Sequence, residues 1–183
     1  MGTEYPTINS YLADFIAKQP MYFVATAAAD GRVNVSPKGG LGSLVVVDDL
    51  TVAYMDLTGS GSETVAHIRA LNRITLMWCA FEGTPNIVRV QGTARVVTRD
   101  SDDWPEWAAR FPNMPGARAV FIVSAERVSD SCGMSVPYLD YVGDRDDLER
   151  WAESKGDDGL VEYRMRKNLE SIDGFPAFAA HEA

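Results

Sequence analysis

At 183 residues the chain is long enough to bury one sizeable core, and nothing in its length calls for a second independent domain. Its 46% hydrophobic and 23% charged residues are ordinary for a globular protein and exclude intrinsic disorder. Seventeen basic against 26 acidic side chains give a formal charge of −9, which repels polyphosphate backbones and anionic lipid surfaces, so neither nucleic acid nor membrane is an expected partner.

Met1 to Ser10 carry no basic stretch followed by an apolar segment, and nothing marks the chain for export or membrane insertion. Residues 7 to 18 place Ile8, Leu12, Phe15 and Ile16 at helical intervals behind Thr7 and Ser10, which predicts a lead-in helix. Met21 to Ala28 is an apolar run of strand formers. Asp30-Gly31 offers a tight turn, and Arg32 to Ser36 continues extended, so the segment reads as a β-hairpin. Ser43 to Val47 and Leu50 to Asp56 flank Asp48-Asp49 as a second hairpin. After Thr58-Gly59-Ser60-Gly61, a short helix runs to Leu71 on Val65 and Ile68, with Ser60 and Glu63 in capping-box spacing. Asn72 to Phe81 and Asn86 to Thr98 are two further strands joined through Glu82 to Pro85, with Gly92 as a bulge or bend. Trp104, Trp107, Ala108 and Phe111 predict a helix behind Ser101-Asp102-Asp103, and Ala117 to Val128 is again a strand. Beyond it Leu148, Trp151 and Ala152 suit a short helix ending at Gly156, and Leu160 to Leu169 a second. Six or seven short strands with intervening helices most naturally close into a small barrel.

Three features bear on chemistry. Asn34-Val35-Ser36-Pro37-Lys38-Gly39-Gly40 ends a strand in a hydroxyl, a lysine and two glycines. Such an end presents donors to a phosphate or a ring oxygen, and equally makes an ordinary strand terminus. In Asp56-Leu57-Thr58-Gly59-Ser60-Gly61-Ser62-Glu63-Thr64 a strand empties through glycines onto a helix N-terminus, a natural anion site in which Ser60 and Glu63 can also simply cap the helix. Arg127 to Pro137 reads as a polar loop around Cys132, a buried structural cysteine on this reading and a reactive thiol only if Arg127 or a helix end lowers its pKa. Cys79 belongs in a strand core, and two isolated thiols suit a reduced, cytoplasmic protein. His67 reads as a packed or solvated histidine, and no metal site is expected. There is no GxSxG elbow, HExxH pair or phosphate loop, which removes the main hydrolase and nucleotide-triphosphatase readings.

The order of these elements, with Asn34-Val35-Ser36-Pro37-Lys38-Gly39, Asp56-Leu57-Thr58-Gly59-Ser60-Gly61 and Arg73-Ile74-Thr75-Leu76-Met77, resembles the pyridoxamine 5'-phosphate oxidase-like FMN-binding split barrels over roughly residues 8 to 130. Cys132-Gly133 and Ser171-Ile172-Asp173-Gly174 are similar to an uncharacterised subgroup of that family. The resemblance implies a mainly β fold with flanking helices, a six-stranded antiparallel split β-barrel. It would be a single domain over residues 1–183, with residues 144–174 as a helical extension packed on it.

It further implies a homodimer with FMN at the subunit interface, turning over a small-molecule substrate as an oxidoreductase or reductase. Asn34, Val35, Ser36 and Lys38 would then lie along the flavin, Asp56, Leu57, Thr58, Ser62, Glu63 and Thr64 around its ring edge and phosphate, and Arg89 and Gln91 would come from the partner subunit. The oxidases of the family place an Arg-Lys pair where this chain has Ser62, Glu63 and Thr64, a loss of roughly 1.5 to 3 kcal/mol for each charge-assisted bond. Oxidation of the vitamin B6 phosphate is therefore not expected. The other class of reading is a binding protein without turnover, holding flavin, deazaflavin or haem on the same barrel, or a vestigial site.

Overall fold

The computed structural model describes residues 2–183. Apolar alternation sets several of the strands. They are β1 (Glu4–Tyr5), β2 (Met21–Thr26), β3 (Asn34–Gly39), β4 (Leu44–Asp48), β5 (Thr51–Leu57), β6 (Ile74–Cys79), β7 (Ile87–Thr98) and β8 (Ala117–Ser131). Between and after them lie α1 (Ser10–Lys18), α2 (Glu63–Ala70), α3 (Trp104–Ala108) and α4 (Asp147–Lys167). The strands join in one antiparallel sheet in the order β3-β2-β6-β7-β8-β5-β4, with β1 added on β8 through Tyr5 and Val128.

Tyr22 on β2 and Tyr54 on β5 are separated by three strands in that order, yet their rings meet at 5.9 Å. The sheet is therefore curled into a split barrel whose inner face is the core. Trp78, Leu76, Val24, Val90 and Phe121 fill it, Phe121 stacks on Tyr54 at 4.9 Å, and α1 adds Leu12 and Ile16. On the outside of β5, β7 and β8, Met55, Val97, Val120 and Ile122 pack under Trp104, Trp107 and Phe111. Because β8 is covered on both sides, Ala117 to Val123 are all buried, which is why this strand lacks alternation.

The fold class is the one expected, with differences at particular elements. The described residues hold eight strands: the seven read from the sequence and two-residue β1, which is too short to leave a pattern, against the six of the barrel that the resemblance implies. β3 runs through Pro37 to Gly39, since an edge strand does not need the missing proline N–H. β8 continues to Ser131 where a loop was expected from Arg127, because β1 and β7 supply distant ladder partners. Cys132, expected buried, is exposed just past its end. The Ser60–Glu63 capping box does not form. Ser62 is the N-cap of α2 and makes no side-chain cap, while Glu63 accepts from the Ile172 amide at 2.9 Å. Asn9, not Thr7 or Ser10, caps α1 by accepting from Leu12 N–H.

Gly156 breaks α4, with φ 63° and ψ 174°, at the position expected to separate two helices. The second half then buries Leu160 and Arg164, and the segment after it buries Asn168, Ala177 and Phe178. Among the described residues no helix is long and apolar enough to cross a membrane.

Candidate cofactor cleft

Strand alternation on β3 turns Asn34, Ser36 and Lys38 toward the barrel interior and leaves Val35, Pro37 and Gly39 outside. Across the split lies β5. Lys38 Nζ bridges the two, donating to Asp56 Oδ1 at 2.6 Å, while Arg118 Nε on β8 donates to Asp56 Oδ2 at 2.7 Å. Burial by itself would raise the Asp56 carboxyl, but the charges of Arg118 and Lys38 and their hydrogen bonds outweigh it and hold it below the ordinary value. The triad keeps one net positive charge.

Above it opens a cleft of about 420 Å³, in the range of cofactor sites, which run roughly 300 to 1,000 Å³. Ser36, Lys38, Asp56, Leu57 and the run from Gly59 to Thr64 line it, with Tyr22 and Arg118 in the wall. Burial pushes the Tyr22 phenol well up, against the opposing effect of the Ser43 hydroxyl, so it stays a neutral hydroxyl. The N-terminus of α2 faces the same space, with its first amides free of helical acceptors.

Seven of the expected site residues therefore meet in one place: Ser36, Lys38, Asp56, Leu57, Ser62, Glu63 and Thr64. Two stand directly behind them. Asn34 accepts from Ser36 Oγ at 2.9 Å and donates to Thr64 Oγ1 and Thr26 Oγ1, and Thr26 contacts His67 Nδ1 at 3.1 Å. His67 is thus a buried member of a polar chain that ends at the cleft. Thr58 donates to Gly116 O and accepts from Arg164. Val35 points to the other face and is 60% exposed. Arg89 and Gln91 lie on the outer side of β7, bonded to Ser131 and Arg127, and do not line this protomer's cleft.

Sequence reasoning missed Arg118, Tyr22 and Asn168. Arg118 had a signal, a lone cation in the apolar run Ala117-Arg118-Ala119-Val120, which buries safely only against an acid. Asn168, fully buried and bonded to Arg118 and Gly59, had none.

The family model for pyridoxamine 5'-phosphate oxidase matches residues 8–132. A pyridoxamine 5'-phosphate oxidase family protein, ustO of Aspergillus flavus, is 38% identical over 189 residues, which cover 94% of this chain and 76% of that protein. Among solved structures, HupZ of Group A Streptococcus matches with a TM-score of 0.52 at 28% identity, over 66% of this chain and 91% of its own. A candidate pyridoxamine 5'-phosphate oxidase of Lactobacillus delbrueckii matches with a TM-score of 0.54 at 25% identity, over 68% of this chain and 97% of its own. With most of the barrel matched by the model and nearly all of the chain aligned to ustO, the protein belongs to the pyridoxamine 5'-phosphate oxidase family.

Proposed function

We propose that the protein is an FMN-dependent oxidoreductase whose flavin lies in the cleft between β3 and the start of α2. The observation that carries this reading is the meeting of Ser36, Lys38 and the Gly59–Thr64 turn around the Lys38–Asp56–Arg118 triad. The donor set fits the group. The triad carries one net positive charge, the first amides of α2 are free, and the Glu63 carboxylate is taken up by the Ile172 amide. Ser36 and Lys38 would hold polar ring atoms, Leu57 would line the ring, and Ser62 to Thr64 would hold the phosphate end. Flavin, when bound, supplies the electron transfer, and the chain supplies orientation and exclusion of water.

Without an Arg-Lys pair at α2, pyridoxamine 5'-phosphate is not the proposed substrate; a different small molecule over the exposed ring is. A second copy of the chain completes the site. Phe23, Met77, Val35 and Pro37 share the outer face of β2, β6 and β3, and Arg89 pairs with Met77 on the next strand, so a partner seated there receives Arg89 and Gln91. Residues 144–174 belong to the same domain, and the free thiols Cys79 and Cys132 suit a cytoplasmic location.

The competing reading is a flavin, deazaflavin or haem binder without turnover, favoured by the engagement of Ser62 and Glu63 with Glu170 and Ile172 instead of with open space. Purified protein separates the two. Bound flavin with visible absorbance that bleaches on adding a reductant supports the oxidoreductase. Colourless protein whose Tm does not rise with added FMN overturns it.

A further inference from the structure

We infer that Asn168, together with Arg118, is a positioning residue that turns the Gly59–Ser62 backbone into an amide site for a phosphoryl group, in place of the missing cations. This rests on the flavin reading for the source of the phosphoryl group, but not for the site itself.

Asn168 Oδ1 accepts from Arg118 Nη1 at 2.7 Å, which fixes the amide so that its Nδ2 donates to Gly59 O at 3.0 Å. A guanidinium has no acceptor, so this orientation cannot be reversed. Arg118 Nη2 in turn donates to Gly61 O at 2.8 Å. Two alternate carbonyls of the turn are thereby anchored on the Arg118–Asn168 wall. None of the peptide bonds described is cis, and in a trans peptide the N–H points opposite to the C=O. The amides of Ser60 and Ser62 therefore point away from Arg118 and Asn168, and both residues line the cleft. Among the described residues neither amide has an acceptor in the chain.

Amides held in this way form an anion-binding concavity continuous with the N-terminus of α2. Ser62 is 2% exposed as a residue, so its unmet amide is a buried donor at the cleft. A buried polar group of that kind is costly to leave unmet. The Glu63 carboxylate, the one acid in the turn, is held by Ile172 N–H.

The test uses the full chain and measures affinity for FMN, for riboflavin, which lacks the phosphoryl group, and for inorganic phosphate through its effect on Tm. Asn168→Ala and Asn168→Asp are each expected to weaken FMN about tenfold more than they weaken riboflavin. Asn168→Asp keeps its acceptor toward Arg118, which guards against loss of fold as the cause. Equal weakening of both flavins, or of neither, overturns the inference and leaves the flavin reading standing. If neither flavin binds, but phosphate raises the Tm of the natural chain and not of Asn168→Asp, the amide site stands and the flavin reading falls. If phosphate acts equally on both proteins, or on neither, with no flavin bound, both fall.

Discussion

Arg118 donates to Asp56 at 2.7 Å with side chains that are 5% and 2% exposed, so neither charge has water to fall back on. Removing one partner leaves the other desolvated. Asp56→Ala is expected to lower unfolding free energy by about 3 to 5 kcal/mol, measured by chemical denaturation. A loss under about 1 kcal/mol would mean that the pair is solvated and the triad misread.

The same pair sets a pH dependence. Burial opposes ionisation of Asp56, but Arg118 and Lys38 prevail, and the folded carboxyl sits below its unfolded value of about 3.9. Its contribution is therefore present above that unfolded value and is lost as pH falls through the folded one. Asp173, held down first by the Arg32 amide, acts in the same direction. Denaturation profiles should show stability declining below about pH 4, and Asp56→Asn should flatten that decline.

Gly92 sits at the bulge where β7 shifts register against β8, and an added Cβ there would meet the Ser124 carbonyl oxygen at 1.9 Å. Backbone cannot step aside as a flexible side chain can. Gly92→Ala should cost at least about 2 kcal/mol by thermal or chemical unfolding.

Glu63 holds the Ile172 amide from the first turn of α2. Glu63→Ala should lower stability by about 1 kcal/mol and speed hydrogen exchange at the Ile172 N–H. Unchanged exchange would show that the C-terminal segment is held without Glu63.

Lys38 supplies one of the two cations at the cleft. Lys38→Ala is expected to weaken FMN about tenfold in a fluorescence titration, and an unchanged Kd would remove Lys38 from the site.

The barrel was legible because its strands are local patterns, and the bulge at Gly92 and the break at Gly156 announced themselves as glycines inside regular runs. What stayed hidden depends on distant partners. Nothing near Arg127 says that β8 continues, because Glu4 and Tyr5 complete the ladder from the other end of the chain. Ser36, Lys38 and Asp56, named from their places at strand ends, come together at one cleft, whereas the capping role given to Glu63 failed because Ile172, 109 residues on, competes for its carboxylate. Arg118 and Asn168 act through a tertiary network that no spacing rule encodes.

The contact between Asn168 and Gly59 spans 109 residues. A chain emerging from the ribosome can pair its strands long before that contact exists, since early segments fold as they appear. Until residue 168 arrives, the Gly59–Ser62 turn lacks its anchor. On the amide-site reading, a nascent barrel with every strand in place but without residue 168 would hold a phosphoryl group about tenfold more weakly than the full chain.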